Sequence, residues 1–349
     1  MLYVLGARPD LVSAKTIGYA SDYLSLIVCG APFMCMSCVL NNQMRFQGNA
    51  FFSMLGLVSG AVLNVALDPL FIFGLKMEVS GAALATILSQ FVSCVLLYVG
   101  TLRSDSLKIR LRNFRPTPFY LKTIVRDGLP SLFRQGLASV ATLCLNAAAG
   151  ASVSPELSDA AIAAFSVVSK IVMLAFSALI GFGQGFQPVC GFNYGAGNTR
   201  RVREAYSFCV KVGFVFLLLA SFVGFTLAER AVALFRDDPN VIAIGAVAMR
   251  CQCCTFALMA VVMITNMLYQ STGHAAGATL LAVARQGLMF IPVVLILPHV
   301  VTPPIWGVYL AQPVSDLFAF SLAVPLAVRM LRRWKLRELN TDMQETGAR

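Results

Sequence analysis

The chain has 349 residues, 58% of them hydrophobic and 12% charged, with a mean hydropathy of +0.76. Soluble domains carry roughly a quarter charged residues, so this composition excludes a water-soluble globular protein and makes a bilayer the solvent. The net charge of +11 is concentrated in a few connecting segments, which speaks for membrane orientation and needs no nucleic acid.

Residues 1–19 lack the charged-then-apolar layout of a signal peptide. A hydrocarbon core of about 30 Å takes around 20 apolar residues per helix. Stretches of that length predict nine spans, at 20–43, 50–74, 81–101, 128–151, 159–187, 206–228, 241–270, 277–298 and 305–328. The connection after the third span carries Arg103, Lys108, Arg110, Arg112, Arg115, Lys122 and Arg126. The connection 188–205 adds Arg200, Arg201 and Arg203, and the tail from Arg329 holds six more basic residues. With Arg45, nine alternating spans put 17 basic residues on one side and five on the other. Cytoplasmic loops concentrate Lys and Arg, so the C-terminus is expected inside. The ten cysteines lie mostly in apolar spans, away from both histidines, and read as small apolar residues.

The last three spans echo the first three about 225 residues later. Asn42–Asn49 ends its helix much as Met267–His274 ends another, and Gly81-Ala82-Ala83-Leu84 matches Gly307-Val308-Tyr309-Leu310. The expected architecture is an all-α membrane protein. It has a partial N-lobe of three helices (1–102), a basic cytoplasmic inter-lobe linker (103–127), a complete six-helix C-lobe (128–328) and a basic cytoplasmic tail (329–349). Repeat logic and the outside N-terminus both lead to the expectation of three further helices before residue 1. Transporters commonly contain such repeats, with binding sites at the repeat interface.

Several strings resemble the multidrug and toxic compound extrusion (MATE) family. They include Gln47-Gly48-Asn49, Gly60 to Gly74 with its Asn64-Val65-Ala66-Leu67-Asp68-Pro69 centre, and Gly81 to Thr86. Gly128-Leu129-Pro130-Ser131, Gly183 to Pro188 and Asn193-Tyr194-Gly195-Ala196-Gly197 continue the resemblance through residue 335 or so. It implies a secondary antiporter that exports amphipathic organic cations or drugs in exchange for H⁺ or Na⁺, with no other cofactor. It also carries Asn64, Asp68 and Thr86 onto the family's N-lobe ion site. The carboxylate usual in the first C-lobe helix is absent, since Leu137-Ala138-Ser139 stands there.

The residues themselves support an ion site. A carboxylate near the centre of a membrane helix costs about 2.5–3.5 kcal/mol on insertion scales and is usually functional. Asn64 lies one turn before Asp68 on the same face. Both Asp68 and Thr86 stand six residues from the turn joining their helices, about 9 Å at 1.5 Å per residue. Carboxylate, amide and hydroxyl at one depth suit a proton or Na⁺, and no other metal site is expected. The plain alternative is that Asp68-Pro69 caps a kink, with Asp68 bonded to freed backbone groups. In the repeat, Asn64 and Asp68 correspond to Met289 and Val293, so the fold does not require the polar pair.

Lys170, Arg285 and Asp316 also lie within spans, and a Lys170–Asp316 or Arg285–Asp316 pair would tie the C-lobe together or line a cavity that senses substrate charge. Arg134 and Arg250 read as snorkelling residues. Met173, Phe176 and Gln184 are candidate contacts for flat cations through stacking and cation–π attraction. Two other readings stand beside the exporter: a related flippase of lipid-linked oligosaccharides, and a non-transporting membrane fragment. No enzymatic constellation is recognisable, and the chain is expected to be a monomer.

Overall fold

The computed structural model describes residues 14–103 and 117–347, without the side chains at 14–17, 20, 126, 127, 129–131, 133, 134, 286 and from 337 on. Most of the basic linker, the Arg134 side chain and the end of the basic tail therefore lie outside the described set. The chain divides into two compact units, Met1–Arg115 and Pro116–Arg349.

The first unit contains α1 (Ala14–Phe46), α2 (Ala50–Pro69) and α3 (Glu78–Arg103). α2 runs on through a π-helical turn, Leu70–Gly74. The second contains α4 (Pro118–Ala151), α5 (Ser158–Gly195), α6 (Thr199–Thr226), the short α7 (Ala228–Ala233) and α8 (Pro239–Phe256). There follow α9 (Met259–Ser271), α10 (Ala275–Val283), α11 (Phe290–Val300) and α12 (Pro304–Gly347). The described residues form no strand, as a lipid-embedded chain that satisfies its backbone within each segment requires.

Among the described residues, six helices are long and apolar enough to span a bilayer, and α8 with α9, bent by 56°, makes a seventh if the pair is counted as one broken span. This differs from the nine expected spans for a local reason. The stretch expected at 277–298 is helical but is interrupted by a second π turn, Ala284–Leu288, which leaves two short pieces. The stretch at 128–151 lies in α4, whose side chains are only partly described.

Three helices end in the same way. Gly48, Gly197 and Gly273 have φ of +82°, +76° and +75°, a region that an L side chain enters only with strain. The amides of Asn49, Asn198 and His274 reach back to the carbonyls of Met44, Asn193 and Tyr269 at 2.8–2.9 Å. Those of Gly48, Gly197 and Gly273 bond to Arg45, Tyr194 and Gln270. This paired pattern closes orphan carbonyls at a helix C-terminus. Its recurrence at Gly48 and Gly273 gives the repeat read from Asn42–Asn49 and Met267–His274 a backbone cause.

Cores are built by close helix approach at small residues. A Cβ on Gly56 would fall 2.5 Å from Leu97, and one on Gly183 would fall 2.2 Å from the Met267 sulfur. In the first unit Leu40, Met44, Cys94 and Leu97 form the buried cluster. In the second, Leu179, Leu217, Met259, Ile264 and Leu268 anchor one cluster, and Phe165, Val168, Val232, Val241 and Tyr309 anchor another.

Candidate functional site

The sequence places Asn64 and Asp68 on one face of α2 and Thr86 on the adjacent α3, and the structure brings all three together. The Asn64 amide nitrogen donates to Asp68 Oδ1 at 3.3 Å and to Thr86 Oγ1 at 3.5 Å. Both contacts are at the long end of the hydrogen-bond range, so they leave the oxygens under-used. The Thr86 hydroxyl donates to the Ala82 carbonyl at 2.9 Å, which turns its lone pairs away from its own helix. All three residues are half-buried. Among the described residues, the side-chain partner of Asp68 is Asn64, not a backbone group freed by Pro69.

A cavity of about 300 Å³ opens beside them, within the first unit. Asn64 and Thr86 line it with Ser37, Ser89, Gln90 and Ser93, against Met34 and Leu57. Asp68 lies one helical turn farther along α2. Gly60 sets the width at this level, since a Cβ there would meet the Ser93 Cβ at 2.9 Å and the Ser89 carbonyl at 3.2 Å. Immediately after Asp68, Pro69 supplies no backbone donor, and the ladder widens into the π turn. Such bulges often occur at functional sites. Gly81 then lets the start of α3 press on that turn: its Cβ would sit 3.0 Å from the Phe71 carbonyl.

The second unit holds a different polar centre. Asp316, 1% exposed on α12, accepts from the Gln312 amide at 2.9 Å and faces the Arg285 Nε at 3.6 Å. The Arg285 guanidinium in turn lies 4.6 Å from the centre of the Phe176 ring, which packs on Phe256 with ring centres 4.8 Å apart. Of the two expected pairings, the structure makes Arg285–Asp316. Lys170 is exposed on α5, as is Met173 at 69%, whereas Phe176, one turn after Met173, is buried. Gln184 is half-buried. The six candidates thus do not form one lining: Arg285, Asp316 and Phe176 cluster, while Lys170 and Met173 stand apart. Arg250 pairs with Glu229 at 2.9 Å. Sequence reasoning missed Gln312, although its place four residues before Asp316 on a helix was a usable signal.

The MatE family model matches residues 1–70 and 136–296. The chain belongs to the MatE family. It is 26% identical over 321 residues to the multidrug export protein MepA of Staphylococcus haemolyticus, covering 91% of this chain and 70% of that one. MepA of Staphylococcus aureus is also 26% identical, over 94% of this chain and 70% of its own length. Among solved structures, an outward-facing multidrug resistance MATE transporter of the MOP superfamily superposes with a TM-score of 0.85 at 26% identity. That match covers 96% of this chain and 75% of the other. A MOP superfamily transporter from Pyrococcus furiosus, described as having a binding pocket of reverse polarity, gives 0.85 at 26% identity, over 95% and 72%. MatE membership makes the chain a multi-pass membrane protein of a transporter fold.

Proposed function

We propose that the chain is a secondary active multidrug exporter that exchanges amphipathic organic cations for H⁺ or Na⁺ by alternating access. In this reading it has three spans in the first unit and six in the second, and a cytoplasmic C-terminus. It works as a monomer in a bacterial plasma membrane, and Asn64, Asp68 and Thr86 take the coupling ion. The observation that carries the reading is the Asn64 amide bridging Asp68 and Thr86 inside an apolar helix pair. The MepA relatives, named as multidrug export proteins, supply the substrate class.

The chemistry follows from the donor set. A bare carboxylate in hydrocarbon is costly, and either a proton or a cation removes that cost. With Nδ2 toward Asp68, the Asn64 amide holds the carboxylate by a charge-assisted hydrogen bond. Turning the amide about its last torsion replaces Nδ2 by Oδ1 and leaves carboxylate, carbonyl and hydroxyl oxygens pointing inward. Oxygen donors of this kind suit Na⁺, and a proton needs only the carboxylate. Proton and organic cation then compete for the same negative charge, which is the condition for exchange. The acidic Asp68, which has no built-in cation among its described neighbours, favours cationic cargo over the pyrophosphate of a lipid-linked sugar, and the relatives give the flippase no support.

Ethidium uptake into everted vesicles, or its efflux from right-side-out vesicles, driven by an imposed H⁺ or Na⁺ gradient, tests this. The full chain should transport, and Asp68→Asn should not. Gradient-driven efflux by Asp68→Asn equal to that of the parent, or none by the parent itself, overturns the proposal.

A further inference from the structure

The second unit has another cavity, about 360 Å³, whose lining includes neither Arg285 nor Asp316. Its lining is Tyr194, Tyr269, His274, Leu326, Arg329, Met330, Arg333 and Trp334, with no carboxylate. It lies where three apolar helices end together: α5 closes near Tyr194, α9 near Ser271, and the apolar part of α12 near Leu336. Helix ends of this kind meet the bilayer–water boundary, where Trp, Tyr and Arg are common simply as anchors.

Two observations go beyond anchoring. First, the aromatic groups turn inward. Trp334 is only 4% exposed and packs on Tyr194 with ring centres 5.5 Å apart, while the His274 ring lies 6.4 Å from Tyr194 and 6.0 Å from Tyr269. They form the wall of a pocket, not a belt facing lipid. Second, Arg329 and Arg333 stand one turn apart on α12 over that wall, and neither has an ion-pair partner among the described residues. Like charges at that spacing repel by a few tenths of a kcal/mol, which an anion between them would reverse. His274 adds a polar edge, since its Nδ1 is held by Thr272 Oγ1 at 3.0 Å and its other ring nitrogen has no protein partner among the described residues. The equivalent turn of the first repeat has Met44 and Asn49 in place of Tyr269 and His274, so the fold itself does not demand the pocket.

We propose that this pocket binds the phosphate-bearing headgroup of an anionic phospholipid, its phosphodiester held between Arg329 and Arg333 and its acyl chains leaving along Leu326 and Met330. Guanidinium forks match phosphate oxygens geometrically, and basic pockets among membrane helices recognise acidic headgroups in this way. The neighbouring apolar surface favours a lipid over free phosphate. The site is separate from the ion site of the first unit and does not depend on the transport reading.

The test uses the full chain in detergent, stripped of lipid, with short-chain phosphatidylglycerol, short-chain phosphatidylcholine and inorganic phosphate as separate probes. Binding is read by native mass spectrometry and by the shift in melting temperature. Phosphatidylglycerol should bind saturably, and the R329Q/R333Q double variant should weaken it by about tenfold or more, the loss of one to two charge-assisted bonds. Arg332→Gln, which changes a neighbouring charge outside the lining, should stay within about twofold. Equal loss in Arg332→Gln, or equal binding of phosphatidylcholine, overturns the proposal in favour of general surface charge. Saturation by inorganic phosphate that excludes the lipid overturns the lipid assignment. A second readout needs no arginine variant: in a Trp306→Phe background, brominated phosphatidylglycerol should quench Trp334 more strongly than brominated phosphatidylcholine. Equal quenching would sink the idea.

Discussion

The two related helix pairs, α2 with α3 and α10–α11 with α12, carry their acid on opposite members. When Gly81 is matched with Gly307, Leu84 falls on Leu310, Ala85 on Ala311 and Ser89 on Ser315. Thr86 then corresponds to Gln312, and Gln90 to Asp316. Before the hairpin turn, Gly60 corresponds to Arg285, Asn64 to Met289 and Asp68 to Val293. The first pair therefore has its carboxylate on the earlier helix, held by a neutral amide, with a glycine that leaves room for a cavity. The second has its carboxylate on the later helix, with a guanidinium filling the place of that glycine. One site lacks a cation among its described neighbours, and the other has one built in. On the proposed reading, a fold used twice has thus produced a place for a mobile positive charge beside Asp68 and a place where the positive charge, Arg285, is built in.

The sharpest way to break this contrast is Asp68→Asn. It should remove gradient-driven dye efflux almost entirely while leaving the yield of folded protein unchanged, since the amide keeps the shape and only the charge is lost. Next in size is the loss of one partner from the second pair. Arg285→Met should destabilise by about 3–5 kcal/mol by leaving Asp316 buried and unpaired, and the double change R285M/D316L should recover most of that. Reversible unfolding in detergent checks both, and additive losses would show that the pair does not act as a unit. Gly60→Ala should cost about 1–3 kcal/mol and narrow the cavity, because the new methyl meets the Ser89 carbonyl as well as a side chain. Its signature is a weaker apparent affinity for dye, with a lower melting temperature. The smallest effect is expected from Thr86→Val, about 0.5–1.5 kcal/mol for one hydroxyl. That corresponds to a severalfold higher ion concentration for half-maximal exchange, which Thr86→Ser should not require.

The first unit was legible because its signals are local. Expected spans 20–43, 50–74 and 81–101 fall within α1, α2 with its π turn, and α3. The convergence of Asn64, Asp68 and Thr86 needed only helical spacing and a short hairpin. The second unit was less so. Nothing in Ala275–Val300 alone announces a π turn at Ala284–Leu288, since an added residue in a helix depends on what packs against it. The choice of Arg285 over Lys170 as partner for Asp316 depends on how α5 is rotated: it presents Phe176 inward and Lys170 outward. The aromatic pocket joins Tyr194, Tyr269 and Trp334, residues too far apart in sequence for periodicity to connect.

The π turn at Leu70–Gly74 holds one residue more than an α-helical turn would need. Each residue of an α-helix advances its side chain by about 100°. Removing a single residue there would let the wide turn close to α-helical spacing, so the rest of α2 would keep its phase against the hairpin and Asp68 would still look toward Thr86. The α-helical stretch before it holds no surplus residue, and a deletion there would swing the preceding side chains by about 100°. A one-codon deletion between Pro69 and Leu75 should therefore spare exchange, and one between Asn64 and Asp68 should silence it with every polar residue of the site still present.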